Sequence, residues 1–230
     1  MVEHSNRESK ATVSAVLLAA GKGERIGGIS NALLPLPDGC SLLQSDINRL
    51  RNIADEIVAG IAPDLPLPEG LQNYPGFKRT KGGSTRLETL NNALEATTGA
   101  IVLVWDVARP WVSLETVHEL IGAAVEHGAA MPVLRFRTRE SLGIGKNGFL
   151  EASFPREGLF LSQTPQAYRK DILRDSLEKA RATGNTDFSV HSLVKNAGYP
   201  VRLIDGATEN VKLTFPEDLD AFLSWNSRQK

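Results

Sequence analysis

The sequence predicts an α/β fold in which a mostly parallel sheet carries helices on both faces. Three observations predict it. Residues 13–19, 56–61, 100–105 and 129–134 are short, largely apolar runs, with a weaker fifth at 200–204. Runs of that length, apolar almost throughout, are what strands buried on both faces look like. Between the runs lie stretches whose apolar residues recur at helical spacing. Strands alternating with helices at short spacing imply a parallel sheet between two helical layers.

Taken in order, Val13 to Ala19 is the first strand, flanked by a polar tail (residues 1–12) and by glycines. Leu43, Ile47 and Leu50 follow at helical spacing. Residues 56–61 form a second strand, closed by a proline-rich stretch at 63–68. Residues 85–97 are a helix: Thr85 and Glu88 have capping-box spacing, and Leu87, Leu90 and Leu94 make its apolar stripe. Residues 100–105 are the clearest strand. Ser113 caps a helix that runs to about His127, and 129–134 is another strand. Residues 135–162 break the rhythm, being basic and glycine-containing without a helical period. They predict an arm or hairpin outside the main sheet. The pattern resumes with helices at 168–183 and 190–197, a strand at 200–204 and a short strand at 211–214. Thr214 and Glu217 form a second capping box, with Pro216 in the first turn of the last helix. One domain over 13–230, with an arm at about 135–162, accounts for the whole pattern.

Composition narrows the function classes. A chain of 230 residues is long enough for one full core. Lysine plus arginine number 26 against 27 aspartate plus glutamate, so the net charge of −1 disfavours nucleic acid as a partner. The single cysteine, Cys40, excludes a disulfide framework and a cysteine-only zinc site. No apolar run reaches the ~20 residues of a membrane span. The opening residues lack an apolar signal core, which predicts a cytoplasmic protein.

Four patches carry chemistry. Ala19-Ala20-Gly21-Lys22-Gly23-Glu24-Arg25 follows the first strand. Glycines there let the backbone approach a ligand, and successive N–H groups make an anion nest. It is neither a dinucleotide fingerprint, since Ile26 stands at the third glycine position, nor a Walker loop. Asp106 and Arg109, in Asp-x-x-Arg-Pro, close a buried strand at the sheet's carboxyl edge, where α/β proteins bind ligands. The aspartate suits a magnesium ion and the arginine a phosphate; an internal ion pair is the alternative. Gly82, Gly83 and Arg86 precede or open a capped helix, whose N-terminus suits an anion or a base. Gln163-Thr164-Pro165-Gln166, Thr186-Asp187 and the segment 209–214 with Lys212 complete the set. The four histidines, His4, His118, His127 and His191, have no metal-ligand spacing, and no Gly-x-Ser-x-Gly elbow occurs.

In this order, Leu-Leu-Ala-Ala-Gly-x-Gly-x-Arg at 17–25, Gly-Gly-Ser-x-Arg at 82–86, Asp-x-Ala-Arg-Pro at 106–110, Gln-Thr-Pro-Gln at 163–166, Thr-Asp at 186–187, Ala-Gly-Tyr-Pro-Val at 197–201 and Glu-Asn-x-Lys-x-Thr-x-Pro-Glu-Asp-Leu at 209–219 resemble the 2-C-methyl-D-erythritol 4-phosphate cytidylyltransferase family. The resemblance implies a Rossmann-like nucleotidyltransferase sandwich that dimerises through an extended arm. It implies magnesium-dependent joining of CTP to an alditol phosphate in isoprenoid precursor synthesis, with pyrophosphate released. By motif, Ala19, Ala20, Gly21, Gly23 and Arg25 would cradle the triphosphate, and Gly82, Gly83 and Thr89 the cytosine. Asp106 would sit by the metal or the substrate hydroxyls. Arg109, Arg156, Thr164 and Lys212 would hold the acceptor, and Arg25 and Lys212 would be catalytic. Four places depart from the family's pattern, one of them Trp105, which precedes Asp106 where the family has a histidine. Asn31-Ala32-Leu33 replaces Pro-Lys-Gln, so Ala32 stands where the family has a lysine. Phe136 stands at the family's threonine, and Phe188 follows Thr186-Asp187. These leave open another acceptor, such as ribitol or glycerol phosphate, or a paralogue with a binding or regulatory role.

Overall fold

The computed structural model describes residues 11–24, 28, 30–36, 38–67, 70–71, 74–136, 141–184 and 189–227. In chain order its elements are β1 (Val13–Ala19), α1 (Leu42–Leu50), β2 (Glu56–Ile61), β3 (Phe77–Lys81), α2 (Arg86–Glu95), β4 (Ile101–Asp106), α3 (Leu114–His127), β5 (Ala129–Arg135), β6 (Leu142–Lys146), β7 (Phe149–Phe154), β8 (Phe160–Ser162), β9 (Gln166–Arg169), α4 (Lys170–Ala182), α5 (Val190–Asn196), β10 (Arg202–Asp205) and α6 (Pro216–Ser227).

Among the described residues the main sheet has the order β10-β5-β9-β4-β1-β2-β3, with β8 added to β5. β4, β1, β2 and β3 are parallel, as are β5 and β10, while β9 runs antiparallel between β4 and β5. The two faces of β1 show why the sheet is covered on both sides. Ala15, Leu17 and Ala19 face a core shared with Leu43, Ile47 and Leu50 of α1, Val117 and Leu120 of α3 and Phe222 of α6. Val16 faces the opposite core, with Leu90 and Leu94 of α2, Leu173 and Leu177 of α4 and Leu193 of α5. Burying a leucine or isoleucine of this kind contributes about 1.5–3 kcal/mol, so neither helical layer is dispensable.

The chain crosses from β3 to β4 over β1, placing β2 and β4 on opposite sides of it. The carboxyl ends of β1 and β4 therefore part to leave a crevice, the switch point at which such sheets bind ligands. Caps fix the helices that border it. Thr85 Oγ1 accepts from the Glu88 N–H at 3.0 Å, and the Glu88 carboxylate reaches back to the Ser84 N–H at 2.7 Å. Ser113 Oγ accepts from the Thr116 N–H at 3.0 Å.

Several expectations are corrected. Residues 166–169 form β9 rather than opening a helix at 168. Its buried polar residues satisfy each other, Tyr168 Oη donating to Gln166 Oε1 at 2.6 Å, so no apolar run betrayed it. β3 is an edge strand of sequence Phe-Lys-Arg-Thr-Lys, and its charged, exposed residues blunt the edge and hide the strand. Residues 211–214 form no strand; Leu213 is instead pinned by its N–H to the Ala108 carbonyl at 2.8 Å. The last helix is capped by Asp218, not Glu217: its carboxylate accepts from the N–H groups of Thr214 and Phe215, both at 2.9 Å. The arm is shorter than expected. The hairpin β6–β7 is a separate two-stranded sheet, but β8 returns to the main one.

Candidate active site

A cleft of about 720 Å³ opens at the carboxyl ends of β1 and β4. The end of β1 and the loop after it make one wall, with Ala19, Ala20, Gly21, Lys22 and Gly23. Gly23 has φ +67°, a conformation that favours glycine, and its carbonyl accepts from the Gly28 N–H at 3.0 Å to close the loop. Ser30 Oγ donates to the Gly21 carbonyl at 2.9 Å, and Ala32 sits buried in a short 3₁₀ turn on the same wall.

The loop before α2 makes the facing wall. Gly82 lies beneath it, with its N–H on the Ile61 carbonyl at 2.8 Å. A Cβ there would come within 2.4 Å of the Ala20 Cβ, so glycine lets the two loops touch. Thr89 Oγ1 accepts from the Gly83 N–H at 3.0 Å and donates to the Thr85 carbonyl at 3.0 Å. Thr89 thereby holds the Gly83 peptide at the cleft wall.

Asp106, the last residue of β4, is the centre of the floor. Its Oδ1 accepts from Arg86 Nε at 3.1 Å, with Arg86 Nη2 at 3.0 Å. Its Oδ2 accepts from Lys212 Nζ at 2.9 Å and from Thr164 Oγ1 at 3.2 Å. Burial alone pushes this carboxyl up, but the charges and hydrogen bonds of Arg86 and Lys212 outweigh it and hold it at about 2. A carboxylate has about four acceptor positions. Three carry hydrogen bonds here, from Arg86 Nε, Lys212 Nζ and Thr164 Oγ1, and no group of three or more His, Cys, Asp or Glu able to hold a metal occurs among the described residues. A divalent ion at Asp106 would compete with Arg86 and Lys212 for its oxygens.

Arg109 is directed elsewhere. Its Nη1 donates to the Asn210 carbonyl at 2.6 Å, and it tethers the segment that carries Lys212 to the end of β4. Gln163 Nε2 donates to the same carbonyl at 3.1 Å, and Asn210 Nδ2 to the Thr164 carbonyl at 2.9 Å. From α1, Arg49 reaches the carbonyls of Pro110 and Val112 and lies 5.4 Å over the Trp105 ring. These bonds fix the Asp-x-x-Arg-Pro turn from both sides.

A family model for 2-C-methyl-D-erythritol 4-phosphate cytidylyltransferase matches residues 13–223. The chain belongs to that family. The enzyme of that name from Geobacillus kaustophilus is 35% identical over 216 residues, covering 89% of this chain and 92% of that protein. The Thermus thermophilus enzyme is 36% identical over 207 residues, covering 90% and 93%. A crystal structure of the Thermus thermophilus enzyme superposes with a TM-score of 0.80 at 33% identity, covering 94% of this chain and 99% of that one. The 4-diphosphocytidyl-2C-methyl-D-erythritol synthase structure from Anaerococcus prevotii shares the fold, with a TM-score of 0.79 at 23% identity, covering 95% and 97%. Enzymes of this family use divalent metal ions.

The structure gathers Ala19, Ala20, Gly21, Gly23, Gly83, Thr89, Asp106 and Lys212 around one cleft, with Gly82 and Thr164 directly beneath. Arg156 stands on the exposed segment between β7 and β8 and is not among the residues lining the cleft. Arg25, Thr186 and Asp187 lie outside the described residues. The sequence places Arg86 in the Gly-Gly-Ser-x-Arg patch without naming its partner. Its signal was present, an arginine opening a helix after two glycines, but only the fold shows that it meets Asp106.

Proposed function

We propose that this protein transfers the cytidylyl group of CTP to 2-C-methyl-D-erythritol 4-phosphate, releasing pyrophosphate, and so acts in isoprenoid precursor synthesis. One observation carries the reading: a glycine loop and the paired cations Arg86 and Lys212 meet at one cleft at the sheet's switch point. An oxygen of the acceptor phosphate attacks the α-phosphorus of CTP. The new P–O bond forms as the bond to the β-phosphate breaks, and pyrophosphate carries away the electron pair. The attacking oxygen is already anionic, so no general base is required. Catalysis is then positioning plus cationic stabilisation of crowded phosphoryl charge.

The backbone of Ala19, Ala20, Gly21 and Gly23 suits the triphosphate, and the loop of Gly82 and Gly83 held by Thr89 suits the cytosine. Arg25 and Lys212 supply positive charge at the reacting phosphates. Asp106, Arg109, Thr164 and Arg156 serve the acceptor, Arg109 by tethering the segment that bears Lys212. Magnesium is taken to enter on the phosphates of the nucleotide. Phe149 and Leu150, 78% and 73% exposed on the hairpin, support an arm that packs on a second copy of the chain and brings Arg156 to the partner's cleft. We take the enzyme to work in the cytoplasm, where CTP is made; no helix among the described residues is long and apolar enough to cross a membrane.

Ala32 favours a second reading, because this wall offers the phosphates no cation at that position. That reading is a different alditol phosphate acceptor, or a chain that binds nucleotide without turnover. The test is pyrophosphate release from CTP and magnesium with methylerythritol, ribitol or glycerol phosphate. The proposal expects turnover with the methylerythritol phosphate that disappears in Lys212→Ala. Turnover with another acceptor alone, or none with any, overturns it.

A further inference from the structure

We propose that Asp106 is the resting seat of Lys212, and that Arg86 is the positioning residue that holds Asp106 in place when Lys212 leaves it for a bound phosphate. The inference rests on the reading of the cleft as a phosphoryl-transfer site and adds to it how its charges are held between turnovers.

The carboxylate is shared unequally. Arg86 donates from Nε to Oδ1 at 3.1 Å, and its Nη2 lies 3.0 Å from the same oxygen as an ion pair, so a permanently charged, planar head stays on Oδ1. Lys212 meets Oδ2 through one ammonium at 2.9 Å, and its side chain is 37% exposed on the cleft side, against 28% for Arg86. The backbone on either side of Lys212 is fixed. The Leu213 N–H sits on the Ala108 carbonyl at 2.8 Å, and Arg109 grips the Asn210 carbonyl at 2.6 Å. Only the flexible four-carbon stem of Lys212 is left to move. It ends as a compact point charge that exchanges partners readily.

The charges decide which cation leaves. One carboxylate faces two cations in this pair of contacts, so the floor carries a surplus positive charge and favours an anion. If Lys212 turns to a phosphate, Arg86 still neutralises Asp106 one for one, and Thr164 Oγ1 still occupies Oδ2. Two of the three hydrogen bonds survive, together with the Arg86 ion pair. Without Arg86, departure of Lys212 would leave a buried carboxylate with no hydrogen-bonded cation and only the charge of Arg109, which is bound to the Asn210 carbonyl, a costly state. Lys212 would then stay on Asp106, and the phosphate would lose its partner.

This ordering makes a prediction that a plain structural or substrate-contact role does not. Arg86→Gln lowers affinity for inorganic pyrophosphate, used as the anion probe in EDTA, by roughly 10- to 100-fold, the worth of one charge-assisted hydrogen bond. Adding Asp106→Asn to Arg86→Gln restores at least about tenfold of that loss, because nothing then detains Lys212. Arg86→Lys, which keeps the counter-charge but loses the planar head, binds pyrophosphate more tightly than Arg86→Gln. Circular dichroism confirms that each variant is folded, and the same three ratios are read in kcat/KM for cytidylyl transfer. Suppression by the second substitution supports the inference. Additive loss in the double variant, or an Arg86→Gln protein that binds pyrophosphate as the parent does, overturns it. The binding arm needs no turnover: suppression there without cytidylyl transfer would fault the proposed reaction and leave the Lys212 exchange standing.

Discussion

Asp106→Asn removes one charge from the cleft floor and almost no volume, so its effect isolates the electrostatics. The Asp106 carboxyl is held at about 2, against 3.8 for an ordinary aspartate. At ~1.36 kcal/mol per pH unit, the difference of roughly 1.8 units makes the ionised carboxylate worth about 2 kcal/mol to the fold. Breaking a fully buried ion pair costs about 3–5 kcal/mol. Here the Arg86 and Lys212 side chains are 28% and 37% exposed, so water partly solvates the cations left behind and the lower figure governs. The sign follows from a depressed pKa. The stabilisation is fully present above pH 3.8 and is lost as pH falls through the folded value near 2. Urea unfolding of parent and variant at pH 7, 5 and 3 reads it. The stability gap should be about 2 kcal/mol at pH 7 and 5, and about half that at pH 3. A gap that does not change between pH 7 and pH 3 would refute the charge argument and assign the loss to packing.

Three further outcomes follow from other parts of the fold. Glu56 is buried at the amino ends of the strands. Burial raises its pKa, but bonds from Lys78, Ser14 and Thr98 hold it at about 2, so Glu56→Gln should cost about 2–3 kcal/mol in urea at pH 7, less below pH 4, with kcat unchanged. Gly82→Ala places a Cβ 2.4 Å from Ala20 and 3.1 Å from the Ile61 backbone, which should cost about 1–3 kcal/mol and raise KM for CTP more than it lowers kcat. Phe149→Glu with Leu150→Glu should convert a dimer to a monomer in sedimentation at micromolar concentration; a parent that is already monomeric, or a variant that stays dimeric, removes the arm from the account.

The sequence made the frame legible because buried strands and caps leave local signals. β1, β2, β4 and β5 are apolar runs, and Ser113 and Thr85 cap the helices that their spacing announces. β3 and β9 left no such signal. One is a charged edge, and the other satisfies its buried polar groups by pairing Tyr168 with Gln166. The site was legible as residue types in order, yet their partnerships were not. Arg86 and Asp106 are 20 positions apart, and Lys212 and Asp106 are 106 apart. Nothing local says that one carboxylate collects both cations, or that Arg109 turns to the Asn210 carbonyl. Those contacts exist only once β4 and the segment after β10 share the sheet's carboxyl edge.

The most direct measurement is the crystal structure of the protein with CTP and magnesium. The account predicts the triphosphate along the backbone of residues 19–23, the cytosine against Gly83 beneath Thr89, and Lys212 Nζ within hydrogen-bond distance of a phosphate oxygen. Nucleotide bound away from this cleft, or bound there with the triphosphate remote from both the glycine loop and Lys212, would contradict it.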